Sequence, residues 1–204
     1  MLATCTQASP ARLLDALRSE TNQLHVDLEK RLPFFSPVLT SAYYLRLIQA
    51  YHGFYRPLES ELLASGLMPD ELGASERAKT PALIKDLRAL GMTDQTIGEL
   101  AQCRQLPLID SPGACLGVLY VLEGATLGGQ ILRREIHKRL GLNEQTGAAF
   151  LNVYGSATGM RWKAFLAHLD SVQADAATTE AAVLAAQSTF ACFEHWLDGQ
   201  EVLL

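Results

Sequence analysis

Apolar residues recur every three or four positions along most of the chain, the spacing of amphipathic helices with one face toward a core. The first such stripe reads Leu14, Leu17, Thr21, Leu24 with His25, then Leu28. Ser9-Pro10 ahead of it offers a capping hydroxyl and a first-turn proline, which predicts a helix from there to about Arg31. A second helix is predicted from near Thr40 through Tyr43, Tyr44, Leu47, Ile48, Tyr51 and Phe54. Pro57 lacks an N–H and should kink or break that helix before Leu58–Leu63. Residues 65–75 read as a loop, and shorter helices follow at about 76–90 and 94–103, with a Pro/Asp turn over 104–112.

Ser111-Pro112 repeats the cap-plus-proline device and opens a long apolar helix that ends at Gly141. Residues 142–156 form a Gly/Asn-bearing connection, and two last helices cover about 157–173 and 176–198. No alternating run suggests a strand, and no repeat of 20–50 residues is visible. The pattern predicts an all-α fold of seven or eight helices.

Length adds that 204 residues suit one domain, here expected over 1–204 with residues 1–9 as a flexible tail. Hydrophobic residues are 49% and charged residues 19%, which is enough apolar material for a core and too much for a disordered chain. A net charge of −5 argues against a nucleic-acid-binding protein. The first ten residues lack the basic and apolar regions of a signal peptide, so a cytoplasmic location is expected. The stretch from Pro112 to Leu132 is the best membrane candidate, but five glycines and Glu123 dilute it, and it reads as a buried helix. Cys5, Cys103, Cys115 and Cys192 form no CxxC pair and read as idle thiols of a reducing compartment.

Two segments carry candidate chemistry. His25 lies in the apolar stripe of the first helix, where a lone histidine is more often a core residue than a ligand. Glu29, one turn on, can hold the proton of the ring nitrogen that does not bind metal. Arg18 sits seven residues before His25, roughly 10 Å along the same face at 1.5 Å per residue. The second segment is Gly124-Ala-Thr-Leu-Gly128-Gly129 in the long helix. Interior glycines each cost about 0.5–1 kcal/mol against alanine, so the tract needs a reason. It is either a packing seam or a wall where backbone approaches a flat ligand and the helix bends.

Together, LRSETNQLHVDLE and LYVLEGATLGGQIL resemble the proximal and distal helices of haem oxygenases, over roughly residues 10–198. The likeness is greatest to the bacterial branch, including forms that accompany bacterial phytochromes. It implies a multi-helix fold with haem, both cofactor and substrate, between a proximal helix and a kinked distal one. His25 would be the iron ligand with Glu29 behind it. Gly124, Gly128 and Gly129 would form the distal wall. Arg18, Lys163 and Tyr120 would lie at or near propionate positions. The implied reaction opens haem to biliverdin, ferrous iron and carbon monoxide, using O2 and electrons from a donor such as ferredoxin, a reductase or ascorbate. A bacteriophytochrome is the implied biliverdin acceptor.

One position departs from the family pattern: an aspartate commonly follows the first glycine, and here that residue is Ala125. The departure leaves room for a non-catalytic haem-binding or haem-buffering protein of the same fold. A haem-free, thiaminase-like hydrolase would need an activated cysteine, and no cysteine has an activating neighbour in the sequence. Arg133, Arg134, His137, Lys138 and Arg139 are either a solvated helix end or a docking patch for an acidic electron donor. Tyr43, Tyr44, Tyr51, Phe54 and Tyr55, with Phe190, Phe193 and Trp196, read mainly as core.

Overall fold

The computed structural model describes residues 12–204, so the Ser9-Pro10 cap, Cys5 and the 1–9 tail lie outside the described residues. Among the described residues there are eight α-helices and no strand. They are α1 (Leu13–Arg31), α2 (Ser41–Ala64), α3 (Ala74–Arg77), α4 (Thr80–Ala89), α5 (Asp94–Gly98), α6 (Pro112–Leu140), α7 (Thr158–Ser171) and α8 (Ala176–Gly199).

The capping predicted for α6 is present. The Ser111 hydroxyl accepts the Ala114 N–H at 3.2 Å, and Gly141 closes the helix at φ +69°. α6 passes through its glycine tract without interruption. By length and composition it could cross a membrane. Here it packs along α8, which also packs along α1. The α6–α8 seam is built on close backbone approach: a Cβ at Gly117 would lie 2.0 Å from the Ala182 carbonyl oxygen.

Pro57 does not break α2. The helix continues to Ala64 with the proline inside it. The carbonyl that Pro57 cannot serve is that of Gly53, and the Cys103 N–H donates to it at 2.8 Å. A tertiary hydrogen bond thus replaces the missing helical one. The helix predicted over 94–103 ends at Gly98, and residues 101–110 follow an irregular path that brings the Cys103 N–H to Gly53. The helix predicted over 76–90 is instead two pieces, because Ala78 is extended just before Pro81 opens α4. Residues 65–75 are not wholly loop, since a 3-10 turn at Asp70–Leu72 and the start of α3 fall inside them.

Candidate functional site

A cavity of about 450 Å³ opens between α1, α2, α6 and α8, within the size range of small-molecule and cofactor sites. α1 lines it with Arg18, Thr21, Asn22, His25, Leu28 and Glu29. α6 lines it with Tyr120 to Leu122, Gly124 to Thr126, Gly128, Gly129 and Leu132. The two segments singled out in the sequence therefore face one space. The helical turn explains the set on α1, since residues 18, 21, 25, 28 and 29 share a face.

His25 keeps its side chain about half exposed, with Nε2 3.4 Å from Glu29 Oε1. Its ring meets Phe190 edge-on at 6.2 Å, which fixes the imidazole plane from α8. In this rotamer Nε2 is the ring nitrogen turned toward Glu29. Among the described residues no group of three or more His, Cys, Asp or Glu side chains could hold a metal ion. The residues present fit an iron that brings four ligands of its own and takes one imidazole from the protein.

The three glycines do different things. A Cβ at Gly128 would meet nothing within 4 Å, and one at Gly124 would touch only the Trp162 ring at 3.7 Å. Gly129 is buried, and a Cβ there would stand 2.6 Å from the Leu151 carbonyl oxygen. Gly129 is thus a packing seam, and its neighbour Gly128 leaves open space at the cavity lining.

Tyr120 lines the cavity, tilted against Trp162 with ring centres 5.9 Å apart. Lys163 does not line it. α7 presents Trp162 to the cavity, and the next residue, about 100° further round the helix, stands exposed. The propionate contact expected of Lys163 thus has no counterpart among the lining residues.

The aromatic residues read as core are in part wall: Tyr51, Phe54, Tyr55, Phe190 and Phe193 all line the cavity. Phe150 joins them, edge-on to Tyr51 at 5.4 Å and to Tyr55 at 5.2 Å. Its backbone is held by a residue the sequence did not flag. Asp86, fully buried on α4, accepts the Ala149 and Phe150 N–H groups at 2.6 and 2.8 Å. Burial pushes the Asp86 carboxyl up to about 6, although those two N–H groups pull the other way.

A second overlooked group is Glu123, which is buried immediately before the glycine tract. It pairs with Arg77, and Lys79 Nζ donates to its Oε1 at 2.7 Å. The Tyr154 hydroxyl donates to the same oxygen at 2.8 Å, and burial with the Glu123 charge raises the Tyr154 pKa. The sequence signal was an isolated acid in an apolar helix, which must find buried cations or stay neutral. His52 is also fully buried and lies off the cavity; burial lowers its pKa.

The basic run at the end of α6 is largely engaged. Arg133 pairs with Glu144, and Arg139 pairs with Glu135 and donates to the Phe35 and Ser36 carbonyls. Arg134 and Lys138 remain exposed beside Ile131. Cys103 and Cys115 are buried free thiols, and burial raises both, Cys115 to about 11.

A sequence profile described as "Heme oxygenase" matches residues 11–199. The chain belongs to the haem oxygenase family. A heme oxygenase of Xanthomonas campestris pv. campestris is 30% identical over 154 residues, covering 74% of this chain and 86% of that protein. Heme oxygenase PigA of Pseudomonas aeruginosa is 30% identical over 186 residues, 87% of each chain. The solved heme oxygenase of Leptospira interrogans superposes with a TM-score of 0.72 at 21% identity, covering 93% of this chain and all of that one. The protein is thus an all-helical haem oxygenase, an enzyme that degrades haem.

Proposed function

We propose that haem binds in the cavity between α1 and α6 with His25 as its protein ligand, and is opened there to biliverdin, ferrous iron and carbon monoxide with O2 and external electrons. The observation that carries this reading is that His25 and the open faces of Gly124 and Gly128 line the same cavity. Bound haem supplies the iron that activates dioxygen and the macrocycle that is consumed.

The chain's own residues supply position and space. His25 holds the iron from the α1 side, and Glu29 keeps the outer ring nitrogen's proton and so fixes the tautomer. Phe190 sets the ring plane. Arg18 and Tyr120, at the cavity lining, are the propionate partners on this reading. Gly124 and Gly128 leave the α6 side open to a small ligand and water, where a bulky side chain would exclude both. Ala125 brings no acid to that side. The Thr126 hydroxyl donates to the Glu123 carbonyl at 2.7 Å, which leaves its oxygen able to accept from water.

Cys103, Cys115 and Cys192 all stand off the cavity lining, and burial raises the first two thiols, which speaks against the hydrolase alternative. On the same reading the chain works as one domain in the cytoplasm. Its electrons come from a ferredoxin, a reductase or ascorbate, and a protein donor with an acidic face would meet Arg134 and Lys138. A bacteriophytochrome is the proposed biliverdin acceptor.

Hemin titration tests the assignment. The unmodified protein should bind about one hemin with an axial-imidazole spectrum and turn it to biliverdin with ascorbate in air. His25→Ala should keep its helix content and lose the imidazole signature. An unchanged spectrum in that variant would remove His25 from the iron.

A further inference from the structure

Three charged side chains are buried together behind the α6 wall: Arg77, Lys79 and Glu123 are 6%, 2% and 1% exposed. Two cations share one carboxylate, a surplus of one positive charge. The cluster is well satisfied. Arg77 Nε donates to the Leu72 carbonyl at 2.7 Å, and Lys79 Nζ donates to the Arg77 carbonyl, Glu123 Oε1 and the Tyr154 hydroxyl at 2.9, 2.7 and 3.2 Å. Each cation therefore has acceptors for its N–H groups despite burial.

The cluster stands in a partition. A second cavity of about 340 Å³ lies on its far side, and Lys79 and Leu122 border both spaces. Glu59, a further carboxylate nearby, accepts the Lys79 and Thr80 N–H groups at 2.6 and 3.1 Å. It borders the second cavity and not the first, together with Arg56 of opposite charge. Among the described residues, Lys79 is therefore the one cation that borders the first cavity away from α1. Arg18, the other cation of the lining, is exposed on α1.

We infer that Lys79 gives the α6 side of the cavity a fixed positive charge that favours anionic occupants over neutral ones, a tuning role that Ala125 cannot fill. The inference rests on the haem-binding reading of the cavity. A low-dielectric surrounding is what lets one buried charge act across a cavity, since the same charge in water would be screened.

The test compares an anionic and a neutral ligand of the ferric haem complex, azide and imidazole, by optical titration. Lys79→Met removes the surplus charge and should weaken azide on the order of tenfold. Glu123→Gln raises the surplus to two and should tighten azide by a similar factor. Lys79→Arg keeps the charge in place and should keep azide affinity near the unmodified value. Imidazole affinity should stay constant throughout. Azide shifting the same way in both single variants, moving in parallel with imidazole, or not moving would overturn the inference. If circular dichroism shows that one single variant has lost its helices, the other decides, or Lys79→Gln should both fail: azide shifting in the direction stated for that charge change with imidazole constant supports the inference, and azide unmoved or moving with imidazole overturns it. Failure of the unmodified protein to bind hemin through histidine would take down the haem reading as well. A normal spectrum with the wrong azide pattern removes this inference alone.

Discussion

Gly129 and Leu151 are in such close approach that a Cβ on the glycine would stand 2.6 Å from the Leu151 carbonyl oxygen, while one on Gly128 would meet nothing within 4 Å. Gly129→Ala must push backbone aside and should lower stability by about 1–3 kcal/mol, the usual cost of overpacking. Gly128→Ala should fold as well or better, by up to about 0.5–1 kcal/mol from helix propensity. Gly128→Leu should keep its helices and its haem but lose ring opening, because leucine would fill cavity space that Gly128 leaves open. Thermal melts with single-turnover biliverdin yield separate the three, and a Gly128→Leu protein turning over at the normal rate would show that Gly128 does not face the reacting centre.

Arg18 and Lys163 should part company. Arg18→Glu should weaken hemin binding or change the biliverdin isomer. The loss should be modest, since an exposed ion pair contributes about 0–1 kcal/mol. Lys163→Glu should change neither, because the residue stands off the cavity. Hemin affinity and the isomer ratio by chromatography check both, and an effect of Lys163→Glu equal to that of Arg18→Glu would restore the lysine to the site.

Asp86 makes stability depend on pH. Its folded pKa, pushed up to about 6, lies above the ordinary 3.8. The folded protein therefore takes up a proton that the unfolded chain still refuses between those values. Stability from this group rises as pH falls from about 7 to about 4, by on the order of 3 kcal/mol for two units. Asp86→Asn should remove that dependence. A wild-type minus variant difference in melting temperature that stays flat from pH 7 to 4 would contradict the assignment.

Cys115, fully buried with its thiol pushed up to about 11, should resist alkylation at pH 8 until the protein is unfolded. Mass spectrometry of iodoacetamide-treated native protein reads this directly, and rapid native labelling would show an open path to α6.

The periodic stripe of α1 and the serine–proline cap of α6 were legible in the sequence because each is a local rule. A residue's neighbours at three, four and seven positions are fixed once the helix forms. His25, Glu29 and Arg18 could be placed on one face for that reason, and the glycine tract could be marked as needing an explanation. Which explanation applied to which glycine was decided by tertiary structure. Gly128 and Gly129 are chemically identical neighbours, and only the path of Leu151 makes one a packing seam and leaves the other open. Pro57 shows the same limit. Its local rule predicts a break, yet the Cys103 N–H from a distant segment satisfies the freed Gly53 carbonyl and the helix continues. Glu123 could be marked as an isolated acid in an apolar helix and Asp86 could not, but the roles of both stayed hidden, because a buried charge is defined by its partners. Those partners, Arg77, Lys79 and the Ala149–Phe150 backbone, lie 44 or more residues away in the chain. Short-range spacing determined the helices and the face that bears His25. Packing between distant segments determined what stands opposite it.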